Sequence, residues 1–153
     1  MTLLLAFFIG FFGGLRSLTA PAVTAWAAYL GWLKLDEPFS LIGSGLSVAI
    51  FSVLAIGELV ADKLPQTPNR TAPPGLIARI VAGGLTGACV AAAGALGIFL
   101  GALLGATGGI IGCFAGYYAR TWAAKALATR DLNVALIEDL VALAGSVWVV
   151  SRS

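Results

Sequence analysis

A lone arginine in the first apolar segment is the residue best placed to do chemistry. Arg16 is the only charged residue in the range 2–33, and Ser17, Thr19 and Pro21 follow it closely. An arginine at bilayer depth costs about 3 kcal/mol or more, so it must face protein, water or a partner charge. A proline soon after it interrupts a helix. The sequence therefore predicts a broken membrane helix with a cation at the break.

Two interpretations of the break remain open at this stage. In the first, Thr19 caps a second half-helix, whose free N–H groups and dipole favour an anion. Arg16 would add a full charge there, and the hydroxyl groups of Ser17 and Thr19 would donate hydrogen bonds. In the second, Glu58 or Glu138 neutralises Arg16 and no ligand binds.

The other ionisable residues are predicted to gather at one side of the membrane. Glu58 and Asp62 are four residues apart, which places them on one face of a helix. Arg79 and Arg120 each stand at the end of a glycine-rich face. The layer is either a structural ion-pair network or part of a substrate or ion pathway. The candidate binding residues are Arg16, Ser17, Thr19, Glu58, Asp62, Arg79, Arg120, Glu138 and Asp139.

The composition places this chemistry in lipid. The 153 residues are 59% hydrophobic and 10% charged, with a mean hydropathy of +0.98, whereas soluble domains carry about 25% charged residues. The absence of histidine removes the commonest metal ligand and acid–base group. A net charge of +2 is too small to indicate a nucleic-acid partner. We expect one transmembrane domain over residues 1–153, without a cofactor, in which Cys89 and Cys113 are small buried hydrophobes.

The elements that must position these residues are predicted to be helices. The fold class is an all-α polytopic membrane protein with about five transmembrane segments, the first broken near Arg16 to Pro21. Apolar segments cover residues 2–33, 41–61 and 134–150, and a longer one covers 80–119. As a single helix, the longer one would extend about 60 Å, twice the ~30 Å hydrocarbon core. It must therefore be a hairpin, which we expect to turn near Gly97 to Gly101.

Small residues predict which helix faces meet. Glycines recur at helical spacing in both arms of the hairpin, and such faces bring helices into close contact. Packing alone accounts for them. In the last segment a large aliphatic stripe is expected to face lipid, and it comprises Leu136, Leu140, Leu143, Val147 and Val150. The opposite side is expected to face protein, and it comprises Glu138, Asp139, Ala142, Gly145 and Ser146.

The basic residues predict the orientation. If the first segment crosses once, one side holds six of them, against Lys34 and Arg152 on the other. The positive-inside rule makes the basic side cytoplasmic. If the first segment is re-entrant, only the N-terminus changes side.

The same residues resemble the motifs of a known family. The matching stretches are Gly14–Pro21, Ala25–Ala28, Glu58–Pro65, Pro68–Thr71, Gly116–Arg120 and Ala135–Asp139. In this order they resemble the domain of unknown function 4126 family, over nearly the whole chain. The resemblance implies a small, mostly bacterial integral membrane protein, here expected in the inner membrane. It implies no reaction and no substrate.

Three functions are consistent with these features of the sequence. The broken helix and intramembrane charges favour a transporter or channel-like protein for a small ion or anionic solute. The alternatives are a structural or scaffold subunit of a membrane complex, and a membrane enzyme that binds lipid headgroups through carboxylate-held Mg²⁺. The bilayer is the expected partner, with a small anion or ion as ligand. A homo-oligomer is also expected, because five short helices are few to enclose a pathway.

Overall fold

The computed structural model describes the backbone of residues 1–61, 71–127 and 131–153, and the side chains of these ranges apart from 124–127 and 131–132. Every regular element in these ranges is helical, which confirms the predicted all-α class. The α-helices are α1 (Thr2–Leu15), α2 (Thr19–Tyr29), α3 (Gly45–Ala61), α4 (Pro73–Ala93), α5 (Ile98–Leu127) and α6 (Asp131–Val150), with a 3₁₀ turn at Ser40–Gly43 before α3.

Length and composition make this a membrane fold. Within the described residues, three helical stretches are long and apolar enough to cross a bilayer: Pro73–Ala93, Ile98–Ala123 and Asn133–Val150. Thr2–Leu15 and Gly45–Ala61 are apolar but shorter. A crossing needs about 20 residues, so α1 alone is too short to span the hydrocarbon core.

The predicted hairpin is α4 followed by α5. Its turn occupies residues 94–97, slightly earlier than expected, and Ala95 adopts a left-handed conformation there, with φ of 52°. Gly101 was expected at the turn but lies inside α5. A β-carbon added at Gly101 would overlap the side chain of Ala91 and the carbonyl oxygen of Gly87. This glycine therefore serves close helix packing rather than the turn.

Helices α1, α4 and α5 touch through their backbones. A β-carbon added at Gly10 would overlap the Gly105 carbonyl, and one added at Gly105 would overlap the Gly83 carbonyl. A β-carbon added at Gly14 would likewise overlap the Gly109 carbonyl. The packing role predicted for the glycine faces is confirmed at these positions, because only a residue without a side chain fits there.

The direction of α1 follows from its contacts with α4. Thr2 lies against Gly94, just beyond the last residue of α4. Gly14, near the end of α1, accepts a hydrogen bond from Nε of Arg79, near the beginning of α4, at 3.0 Å. The two helices are therefore antiparallel.

Helix α2 turns back beside α1. Ser17 contacts Glu58 near the end of α3, and Ala28 lies against Gly43 just before α3 begins. Since α2 is antiparallel to α3, it leaves the end of the molecule that α1 has just reached. Helices α1 and α2 thus form a re-entrant hairpin, which decides between the two courses left open for the first segment. The N-terminus lies at the end opposite to the break.

Exposed aromatic residues mark the depth of the break. Phe99 and Tyr118 on α5 are 83% and 66% exposed, and the helical rise separates them by about 28 Å, close to the ~30 Å hydrocarbon thickness. Gly14 packs on α5 between Gly109 and Cys113, which is about 8–14 Å before Tyr118. With α5 crossing the bilayer between these two residues, the break lies inside the apolar layer, nearer to the end where α3 and α5 finish and α4 and α6 begin. We call this end the basic end, since the sequence around those helix termini carries six basic residues.

The faces of α6 follow the predicted pattern with one correction. The exposed members of the aliphatic stripe are Leu136, Leu140, Leu143 and Val147. Val150 was expected to face lipid but is buried, because the end of α6 packs into a core cluster with Leu5 and Leu33. On the other face Ala142 and Ser146 are fully buried, and Gly145 lies against the ring of Phe12. Both cysteines are also fully buried.

Candidate functional site

The polar residues of the chain converge on the tip of the re-entrant hairpin, which we define as Gly14 to Thr19. Helices α3, α4 and α6 each bring one charged side chain to this tip. The tip thereby ends one helix and starts another inside the apolar layer, where every backbone polar group must find a protein partner.

Arg16 stands at the C-cap of α1 in extended conformation and is fully buried. Its Nη2 forms an ion pair with Oδ1 of Asp139, whose side chain is 15% exposed. Sequence reasoning named Glu58 or Glu138 as the neutralising carboxylate, and the structure places Asp139 in that position. Asp139 is supplied by the inward face of α6, beside the buried Ala142. Pairing allows a guanidinium to remain charged at this depth.

Glu58 occupies the start of α2. Its Oε1 accepts hydrogen bonds from the Ser17 amide at 2.9 Å and from the Ser17 hydroxyl, and its Oε2 accepts one from the Leu18 amide at 2.8 Å. The predicted N-cap role of Thr19 is wrong. Leu18 is the N-cap residue and Thr19 is the first helical residue. The side chain of Leu18 forms no capping hydrogen bond. A carboxylate from α3 thus occupies the anion position that the sequence predicted at this helix start.

Arg79 closes the other side of the break. Its Nε donates to the Gly14 carbonyl at 3.0 Å and its Nη1 to the Gly75 carbonyl at 2.9 Å, and the residue is only 4% exposed. A cation at the end of α1 satisfies a carbonyl that has no partner in the helix and opposes the negative end of its dipole. Arg79 therefore points toward the bundle, where it caps the backbone at the end of α1.

A large cavity reaches this tip from the side. It has a volume of about 490 Å³ and lies between α2, α3 and α6, with mostly apolar walls. Its polar lining comes from Thr19, Ser52 and Asp139, and the indole N–H of Trp26 donates to the Ser52 hydroxyl at 3.0 Å. The cavity therefore gives access to the carboxylate that holds Arg16.

A second cavity is lined by two of the remaining candidate residues. It has a volume of about 480 Å³, lies between α1, α5 and α6, and is lined by Arg120 and Glu138 among apolar residues. Glu138 and Asp139 are adjacent in sequence but line different cavities, since successive residues of a helix point about 100° apart. Of the predicted polar layer, Glu58, Arg79 and Asp139 meet at the tip, and Arg120 and Glu138 line the second cavity. The candidate Asp62 lies outside the described residues.

Arg16, Ser17, Glu58 and Asp139, which belong to the motif stretches of the sequence, lie at this site. Residues 3–151 match the family described as Domain of unknown function (DUF4126). The chain belongs to the DUF4126 family. It matches no curated protein and no solved structure. Within the described ranges of this DUF4126 protein, no group of three histidine, cysteine, aspartate or glutamate residues is placed to hold a metal ion.

Two features of the site had no signal in the sequence. The pairing of Trp26 with Ser52 joins two apolar helices through single polar atoms, and many other pairs would have been compatible with the same spacing. Two of the groups that Arg79 binds are backbone carbonyls, which carry no sequence information. By contrast, the uncharged run around Arg16 and the acidic pair Glu138–Asp139 were visible signals, and both residues that form the central ion pair were among the candidates.

Proposed function

We propose that this DUF4126 protein carries a small anionic solute across the membrane, and that the solute binds Arg16 in place of Asp139. The observation that carries the proposal is the ion pair between a fully buried arginine and a carboxylate that lines an open cavity. A solute that enters between α2, α3 and α6 meets Asp139 first and Arg16 directly behind it.

The two carboxylates bound at the tip indicate which kind of solute the site would hold. Arg16 holds one carboxylate, and the start of α2 holds another. A guanidinium offers five donors in a planar fork that suits carboxylate and phosphate oxygens. The site is therefore matched to a small oxyanion such as a monocarboxylate, which would exchange with Asp139 without a change in the charge bound to Arg16.

The backbone geometry supports the same class of function. Non-helical backbone at membrane depth is tolerated where protein or a water-lined cavity surrounds it, and it is a recurrent feature of channels and transporters. Here the break lies about 8–14 Å inside one boundary, while α2 returns to the opposite end. Only the thin layer at the basic end would have to open to connect the tip with the second side of the membrane.

The proposal is tested by uptake of labelled acetate, nitrate and phosphate into proteoliposomes. Asp139→Asn keeps the shape of the site but removes the competing charge, so we expect tighter solute binding. Arg16→Gln should abolish uptake. Glu138→Gln is the matched control, because it makes the same type of change one residue away in the other cavity, and uptake should stay near wild type. If the wild-type protein takes up none of the three anions, the proposal is wrong.

A double variant separates transport from a purely structural role. Each single change leaves a buried charge without its partner and should cost about 3–5 kcal/mol of stability. Arg16→Gln combined with Asp139→Asn removes both charges and should recover most of that loss. A stable double variant without uptake supports transport, whereas one that retains wild-type uptake overturns it.

The second candidate function is that of a structural or scaffold subunit, and the contacts at the tip favour it. Glu58 and Arg79 are engaged with backbone groups of the break, which is the arrangement that a purely architectural hairpin requires. In that case the double variant would assemble and function as the wild type does.

The location and assembly are also proposals. We place the protein in the bacterial inner membrane with the basic end in the cytoplasm, since positively charged segments are retained on that side. The re-entrant course then puts both the N-terminus and the C-terminus outside. We further propose a homo-oligomer, because six short helices enclose little space for a pathway.

A further inference from the structure

The cavity between α1, α5 and α6 has the form of a lipid site. We define it as the α5–α6 groove, with Arg120 and Glu138 as its charged lining residues. Its walls are otherwise almost entirely apolar. Among the described residues, α6 packs mainly on α1 and α2 and less on α5. The small residues of α5 in this region, such as Ala115 and Ala119, line the groove and leave room between the helices.

The groove is polar at one end and apolar at the other. Exposed Tyr118 and Trp122 flank Arg120 on α5, at 66% and 70% exposure, and such aromatic residues mark the headgroup level of a membrane. Phe11 and Val141 line the groove nearer to the bilayer centre. From Ala115 to Trp122 the groove extends about 10 Å along α5, compared with about 15 Å for the hydrocarbon of one leaflet.

The net positive charge of the basic end favours an anionic headgroup. Lys34 and Arg152 at the opposite end are balanced by Asp36 and Glu37, so the formal net charge of +2 belongs to the basic end. A guanidinium presents its N–H donors in a planar fork that matches the oxygens of a phosphodiester. The charge of this end and the donors of Arg120 therefore both favour an anionic phosphate.

We propose that the α5–α6 groove binds an anionic glycerophospholipid, with its phosphate at Arg120 and one acyl chain between α5 and α6. The lipid would fill the space between these lightly packed helices. The site is independent of the proposed transport function, since it involves neither Arg16 nor Asp139.

Native mass spectrometry of the purified protein with phosphatidylglycerol and phosphatidylcholine tests the proposal. We expect phosphatidylglycerol to bind at least tenfold more tightly, and Arg120→Gln to remove about that factor, as the loss of one charge-assisted hydrogen bond would. Arg152→Gln is the matched control, because it removes the same charge at the opposite end and should leave lipid binding unchanged.

A second variant tests the acyl-chain part of the site. Ala119→Phe fills the groove without changing charge and should displace phosphatidylglycerol while Arg120 is intact. Equal affinity for the two lipids, or equal losses in Arg120→Gln and Arg152→Gln, would overturn the proposal. So would retention of phosphatidylglycerol by Ala119→Phe, or equally tight binding of glycerol phosphate, since either result would show that no chain enters the groove.

Discussion

Glu58 provides the sharpest test of how the hairpin tip is held. Its carboxylate accepts three hydrogen bonds, two from backbone amides and one from the Ser17 hydroxyl. In Glu58→Ala these donors lose their acceptor in the apolar layer, and each unsatisfied donor costs about 1–3 kcal/mol. The variant should therefore lose on the order of 3–6 kcal/mol, because partial relaxation relieves some of the cost.

Smaller changes at the same contact should follow in order. Ser17→Ala removes one donor together with its bond, so the loss should be about 1 kcal/mol. In Glu58→Gln one carboxylate oxygen becomes an amide nitrogen, which cannot accept from Leu18, so the loss should be about 1–3 kcal/mol. Glu37→Gln is the control, because Glu37 accepts a hydrogen bond from the hydroxyl of Ser40 at an exposed position, and its effect should be within about 0.5 kcal/mol.

The free energy of unfolding in mixed detergent micelles, followed by tryptophan fluorescence, measures this series. The expected order of loss is Glu58→Ala, then Glu58→Gln, then Ser17→Ala, with the control unchanged. If Glu58→Ala unfolds within about 0.5 kcal/mol of the wild type, the carboxylate does not hold the tip and the reasoning fails.

Three further outcomes follow from the fold. Gly105→Ala places a methyl group on the backbone of α4 and should cost about 1–3 kcal/mol in the same unfolding assay. In the control, Gly57→Ala, the methyl group meets open space, so the change should be neutral or stabilising by up to about 1 kcal/mol. Equal effects of the two substitutions would contradict the packing described. Cysteines introduced at Thr2 and Ser153 should react with an impermeant maleimide from the same side of intact cells, and one at Asn69 only from the other side; labelling of Thr2 together with Asn69 would rule out the re-entrant course. The two native cysteines should react only after denaturation, since both are buried, and rapid labelling in intact membranes would show that the helices part at those positions.

The sequence was sufficient for the helices and for the location of the polar chemistry. A continuous apolar run longer than one membrane thickness requires a hairpin, and an isolated arginine requires a partner, so both conclusions follow from solvation alone. The lipid-facing stripe of α6 was equally visible, because side-chain size alternates with the helical period over Leu136 to Val147.

The sequence could not supply the direction of α2 or the partners at the tip. Two half-helices in line and two half-helices side by side have the same hydropathy. The choice depends on contacts such as Thr2 with Gly94 that join distant parts of the chain. The sequence named Glu58 or Glu138 as the partner of Arg16, and identifying Asp139 instead requires the rotation of α6 about its own axis. Val150 was misassigned for a similar reason, since periodicity does not show where a neighbouring helix ends.

The re-entrant hairpin also constrains how the protein is made. Its tip leaves the ribosome before the residues that stabilise it, which come from α3, α4 and, last, α6. Neither α1 nor α2 has the length of a crossing segment, and Arg16 cannot pair with Asp139 until α6 has been synthesised. The insertion machinery must therefore shelter the first helices, or leave them at the membrane surface, until the last helix arrives. Biogenesis of this fold is completed from its C-terminal end, and a chain truncated before α6 should be a substrate for membrane proteases rather than a partly folded protein.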